Sequence, residues 1–229
     1  MKLTDKQKEL IVRYLVYIFG LYVFALGIAL VARSTLGATP VSSWAFAMSR
    51  HTPLTYGTYS FLIHLVMITY QAIILFRHGL RQELINIGLQ IPFSFLFGVF
   101  LDANMFLTSF VLPVGFIPCL AVLLFAAMIH AMGVYLQICA NVTMMSAEAT
   151  VYYTCKRFNL EFWKTKIKFD VSMVVLTIIT SLLFEFSWSC VSTAVREGTV
   201  IDALLVGRIY RFYTRHLSLH KKMNGTKSI

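Results

Sequence analysis

The feature that most constrains this chain is the recurrence of apolar runs too long for any soluble fold. The first is "LIVRYLVYIFGLYVFALGIALVA", residues 10–32, broken only by Arg13. A run of eighteen or more apolar residues reads as a helix that crosses a bilayer. Such runs recur along the chain, and they do not alternate as the strands of a membrane barrel do. Of the 229 residues, 58% are hydrophobic and 13% charged, and the mean hydropathy is +0.74. That much apolar surface needs lipid as its solvent.

The formal net charge of +10 invites a nucleic-acid reading. The placement of the charge excludes it. Basic residues stand at the ends of apolar runs, and no segment is long enough to form a soluble basic face. Six spans are expected, near residues 10–32, 56–76, 83–101, 110–140, 169–188 and 191–210. With the N-terminus in the cytoplasm, loops 77–82 and 141–168 and the basic tail 213–229 fall inside with most of the lysines and arginines. Arg33 and Arg50 are the exceptions left outside. The first run lacks a small-residue cleavage site and reads as a retained span. The location implied is a bacterial cytoplasmic membrane, multi-pass, with both termini cytoplasmic.

"ARSTLGATPVSSWAFAMS", residues 32–49, interrupts this order. It closes a span, carries Arg33, Gly37 and Pro40, and then turns apolar for about a dozen residues. A helix of that length reaches about 18 Å against a hydrocarbon core of about 30 Å. The expectation is a re-entrant half-helix, which survives at membrane depth only when buried in protein or lining a wet cavity. The competing reading is an amphipathic helix lying at the interface.

A second copy of the pattern supports the first expectation. "GIALVARSTLGATPVSSWAFAMS", residues 27–49, sets against "GVYLQICANVTMMSAEATVYYTC", residues 133–155, with the glycines aligned. Residues 54–61 then fall opposite 160–167, and Asn86 opposite Asp202 after an insertion. The fold class expected is therefore an all-α membrane protein of six transmembrane helices in two three-span repeats, near 10–102 and 109–212, each with a short re-entrant half-helix. Three crossings per repeat make the second copy inverted, a common architecture of secondary transporters.

The motif Leu36-Gly37-Ala38-Thr39-Pro40 after a small-residue span end, followed by "TYGTYSFLI" at 55–63, resembles the YczE/YitT-like family of bacterial membrane proteins. The similarity covers most of the chain and is most specific in the first repeat. The second repeat departs from it, with Thr143 and Ser146 in place of a Gly and a Pro, and Glu148 nearby. That family's function is largely unassigned, so the resemblance implies fold and location more than activity.

The expected activity is a small-molecule transporter or permease working by alternating access on an unknown solute, with the lipid bilayer as its surroundings. Two other classes stay open: a membrane-embedded binding subunit of a larger transporter, and a non-transporting accessory protein. A homo-oligomer or a membrane partner subunit is compatible with all three. The step Ala25-x-x-x-Ala29 is typical of helix packing, and it also resembles the docking step of energy-coupling-factor vitamin transporter subunits. The expected substrate site lies between residues 33–44 and 141–148, with polar help from the third and sixth spans. Its candidate residues are Arg33, Thr35, Gly37, Thr39, Pro40, Ser43, Trp44, Asn86, Gln90, Asn141, Ser146, Glu148 and Asp202. Arg33 is a fixed cation for an anionic solute or a residue snorkelling to headgroups. Glu148 is expensive in lipid unless it faces a cavity, a cation or a proton, and is the candidate coupling carboxylate. Trp44 and Trp163 read as interface anchors, and His64 and His130 as single histidines without ligand partners. Cys119, Cys139, Cys155 and Cys190 read as small buried apolar residues. No hydrolase, kinase or redox motif and no P-loop appears, so neither an enzyme nor a cofactor is expected.

Overall fold

The computed structural model describes residues 5–76, 80–185 and 194–217. Among them it is all helix, with no strand: α1 Asp5–Arg33, α2 Ser43–His51, α3 Tyr56–Leu75, α4 Leu80–Leu107, α5 Phe116–Ala140, α6 Ser146–Phe158, α7 Phe162–Glu185 and α8 Glu197–His216. Among the described residues four stretches are long and apolar enough to cross a membrane: Lys6–Arg33, Tyr56–Leu75, Ile85–Leu107 and Phe116–Ala140. The start of the expected sixth span, Trp188 and Cys190 lie outside the described residues, as does the end of the basic tail.

Several boundaries differ from those read in the sequence. The expected loop 102–108 is largely helix, because α4 continues through Pro92 and on to Leu107. Pro92 removes one backbone donor, and the rest of the ladder carries the helix past it. The fourth span begins at Phe116 rather than near 110, because Pro113 and the positive φ of Gly115 (88°) hold the chain out of helix. α7 begins at Phe162, so the run of lysines before the fifth span is helical.

The burial pattern is that of a protein solvated by lipid. Leu15, Phe19, Val66, Ile73, Phe95, Ile117 and Phe125 are exposed, while Gln71, Gln90, Ser94, Asn104, Thr177 and Ser181 are buried. With apolar solvent outside, exposing large apolar side chains costs little, and polar groups gather where they find one another.

α1 and α5 cross at the centre, antiparallel. Gly20 faces Leu136 and Gln137, Gly133 faces Phe24, and Gly27 faces His130. A Cβ on Gly27 would come within 2.5 Å of the His130 backbone, and one on Gly133 would collide with the Phe24 backbone. Both glycines are needed for this close approach. Ala25 and Ala29 are wholly buried in the same core. That step therefore packs the chain's own helices and presents no face there for docking a partner.

Around this pair, α1 packs on α4 and α5 packs on α8. The short helices cross over: α2 lies against α3 and α7, and α6 against α3 and α7. At about 1.5 Å per residue, the 9 residues of α2 and the 13 of α6 are too short to span a bilayer. α2 is no loose surface helix, since Ser43, Ala45, Phe46, Ala47 and Met48 are buried. Buried polar bonds seat each short helix. Ser43 Oγ is 2.8 Å from Thr177 Oγ1 on α7. Gln71 Nε2 on α3 donates to Thr150 Oγ1 and to the Ser146 carbonyl of α6, both at 3.0 Å. The break before α2 is also satisfied by protein. Ala38 N–H donates to the Ala194 carbonyl (2.9 Å), and Gly198 N–H donates to the Leu36 carbonyl (2.8 Å). Irregular backbone persists away from water only when its groups are paired in this way.

Candidate functional site

A cavity of about 710 Å³ lies at the middle of the helix assembly, within the range of small-molecule sites. Its walls are mostly apolar, with Phe24, Ile28, Ile63, Phe97, Val134 and Val171 among them. Two sides are made by the lead-ins of the short helices. Thr39, Pro40, Val41 and Ser42 approach from the α2 side, and Met145, Ala147 and Glu148 from the start of α6. Thr39 Oγ1 and Ser42 Oγ bond to each other at 2.5 Å, which fixes the turn before α2. Glu148 stands in the first turn of α6, where a negative charge complements the helix dipole.

The titratable groups of the cavity come from five helices. His130 on α5 has its Nδ1 3.3 Å from the carboxylate of Asp202 on α8, and Asp202 is only 1% exposed. On α7, Lys166 Nζ donates to Asp170 Oδ1 at 2.8 Å. Glu148 has no ion-pair partner among the described residues. His64 stacks on Phe97 with ring centroids 5.3 Å apart, and its buried Nδ1 has no partner. Three carboxylates thus share an apolar chamber with one lysine and two histidines. No group of three or more His, Cys, Asp or Glu side chains among the described residues is placed to hold a metal ion.

The structure brings Thr39, Pro40, Glu148 and Asp202 together at this cavity. The other sequence candidates take different places. Ser43 seats α2 on α7, and Gln90 donates to Gln71 Oε1 (2.9 Å), extending the bonds that seat α6. The Ser146 carbonyl accepts from Gln71 in the same set. Gly37 adopts a φ of 113° in the break, packed against Thr199 and Arg196. Asn141 closes α5 in a left-handed conformation, φ 49°. Asn86 is exposed and donates to Glu83 (2.9 Å). Trp44 is half-buried, its ring packed edge-on against Tyr59 with centroids 5.6 Å apart. Arg33 and Thr35 line a separate cavity of about 370 Å³ at the far end of α1.

Sequence reasoning missed Asp170, Lys166 and the His130–Asp202 pair. The first two were readable as an i, i+4 pair on one helix face. The pair gives no local signal, because its members stand 72 residues apart.

Long apolar helices, polar groups turned inward and a central chamber define an all-helical, multi-pass membrane protein. Over residues 11–215 the chain matches the family of unknown function DUF6198, and it belongs to that family. No curated protein and no solved structure matches it.

Proposed function

We propose that this protein is a secondary carrier for a small, largely apolar solute bearing a positive charge, exchanged against protons by alternating access. The observation that carries the reading is the central chamber, where the lead-ins of two short helices meet three carboxylates. Apolar walls take the body of the solute, and Glu148, without an ion pair among the described residues, takes its charge. A carboxylate that binds either a cation or a proton couples the two by competition. Asp202 with His130 and Asp170 with Lys166 supply the further charged pairs of the chamber.

The architecture proposed is six spans in two inverted repeats, in a bacterial cytoplasmic membrane with both termini inside. The packing supports it. A constant shift of 106 residues carries Phe24 onto His130 and Gly27 onto Gly133, and these residues meet reciprocally across the α1–α5 crossing. The same shift carries Gln71 onto Thr177, the two residues that receive the opposite short helices. Over their described residues α7 and α8 do not reach the hydropathy of the four apolar stretches, which fits helices that line a polar chamber.

The test is thermal melting of the purified protein against organic cations of graded apolar size, followed by uptake into proteoliposomes under a pH gradient. A ligand at one hundred times its Kd stabilises the native state by about 2.7 kcal/mol. Cations with an apolar body are expected to raise the melting temperature, and Glu148→Gln to remove both that shift and the pH-driven uptake. Stabilisation only by anions, or uptake unchanged in Glu148→Gln, would refute the reading.

A further inference from the structure

The smaller cavity, about 370 Å³, gathers basic residues that the sequence scatters. Arg33 closes α1, Arg50 sits in the last turn of α2, and Arg196 precedes α8. All three line this one space with Phe46 and Met105. Arg196 has a carboxylate partner, the adjoining Glu197 at 3.0 Å. Among the described residues, neither Arg33 nor Arg50 forms an ion pair. Arg33 donates one Nη2 bond to the Met105 carbonyl (2.6 Å), and its Nε is buried without a partner. The Arg50 guanidinium lies 6.0 Å from the centre of the Phe46 ring. Three guanidinium groups against one carboxylate, around a part-buried space, repel one another until an anion joins them.

The rim says which anion. The chain beside the cavity exposes Phe110, Leu112, Val114, Phe116 and Ile117, with Val114 87% exposed. A continuous exposed apolar edge beside an oxyanion-binding cluster suits a molecule with a charged head and a hydrocarbon body. We infer that Arg33, Arg50 and Arg196 form a headgroup site for an anionic phospholipid, with the phosphodiester among the guanidinium groups and the acyl chains along the 110–117 edge. The site is distinct from the central chamber. If the termini are cytoplasmic, it lies on the outer face, and the two arginines that break the charge bias there are explained by what they bind.

The test uses delipidated protein in detergent. Its melting temperature is followed against short-chain phosphatidylglycerol, phosphatidylcholine of the same chain length, and inorganic phosphate. Phosphatidylglycerol is expected to raise the melting temperature with saturation, and phosphatidylcholine to do so weakly. Arg33→Gln removes a bond to Met105 and lowers basal stability, so Arg50→Gln decides, because among the described residues its guanidinium meets only an aromatic ring. Loss of one charge-assisted contact is expected to weaken apparent affinity about tenfold. An equal response to phosphatidylcholine, or an unchanged response in Arg50→Gln, overturns the site. An equal shift from inorganic phosphate alone overturns the lipid assignment in favour of a free oxyanion.

Discussion

Between α3 and α4 the helices touch backbone to backbone; between α7 and α8 lies one flank of the central chamber. Gly57 and Gly98 face each other so closely that a Cβ on Gly57 would collide with the Gly98 carbonyl oxygen. Asp102 locks the end of that seam. Its Oδ1 accepts from Gly57 N–H at 2.7 Å, and its Oδ2 accepts from the Thr55 hydroxyl at 2.6 Å. On the other side, α7 and α8 make at most marginal contact, and Val171, Val174, Ala203 and Val206 line the cavity instead. The two seams join corresponding elements of the proposed repeats, yet one is shut and the other open. A carrier built from inverted halves needs this asymmetry, with the second state reached by exchanging the two conditions.

The comparison breaks most sharply at Gly57. Gly57→Val forces a branched side chain against the α4 backbone, and overpacking of this kind costs about 3 kcal/mol or drives the helices apart. The expected outcome is a large fall in melting temperature and loss of uptake. In a background without native cysteines, Leu101→Cys, fully buried on α4, should resist a water-soluble maleimide, while Ala203→Cys on the chamber wall should label. Adding Gly57→Val should make Leu101→Cys reactive. If Leu101→Cys already labels without it, the seam is not shut and the comparison fails.

Asp102 sharpens the same contrast at a smaller cost. Asp102→Ala leaves Gly57 N–H and the Thr55 hydroxyl without their acceptor, worth roughly 1–3 kcal/mol. The expected signature is a lower melting temperature together with faster labelling of Leu101→Cys, since the lock and the seam are one structure. A stability loss with no change in labelling would make Asp102 a helix-start residue only.

Much of this arrangement was legible beforehand, and the parts that were not share a cause. The short segments appeared in the sequence because span length is a local property: "GATPVSSWAFAMS" is too short to cross whatever it packs against. Gly27 and Gly133 stood out because the close α1–α5 crossing rests on the glycines themselves. Glu148 stood out because a carboxylate in an apolar run demands an explanation. Pairing across the fold left no such trace. His130 looked solitary until α8 brought Asp202 to it, and Arg33 looked like a single fixed cation until Arg50 and Arg196 joined it.

The shut half has a pH-dependent support outside the apolar span Ile85–Leu107. Glu83, near the start of α4, accepts from Asn86 and also from Tyr153 (3.0 Å) and Lys156 (3.1 Å) of α6. The Asn86 bond above all, with help from those two partners, holds its pKa below the ordinary 4.5, against the opposing effect of partial burial. A depressed folded pKa means that ionised Glu83 stabilises the fold above its unfolded pKa. That support is lost as pH falls through the folded value. Glu83→Gln should lower stability by about 0.5–1 kcal/mol at neutral pH and flatten the acid limb of the stability profile. An acid limb identical to wild type would remove Glu83 from the clamp.

The smallest effect expected lies on the open side and has the opposite sign. Gly207 stands inside α8 on the chamber wall, and a Cβ placed there meets nothing within 4 Å. Glycine in a helix interior costs about 1 kcal/mol relative to alanine. Gly207→Ala should therefore raise the melting temperature slightly, where a substitution at Gly57 lowers it steeply. The open seam nonetheless has to close for a carrier to complete its cycle. If α8 then approaches α7 as α4 approaches α3, the added methyl that stabilises this state obstructs the other. Uptake should fall while stability rises. A variant that gains stability and keeps full uptake would show that α7 and α8 never meet at Gly207, and would move the second gate elsewhere.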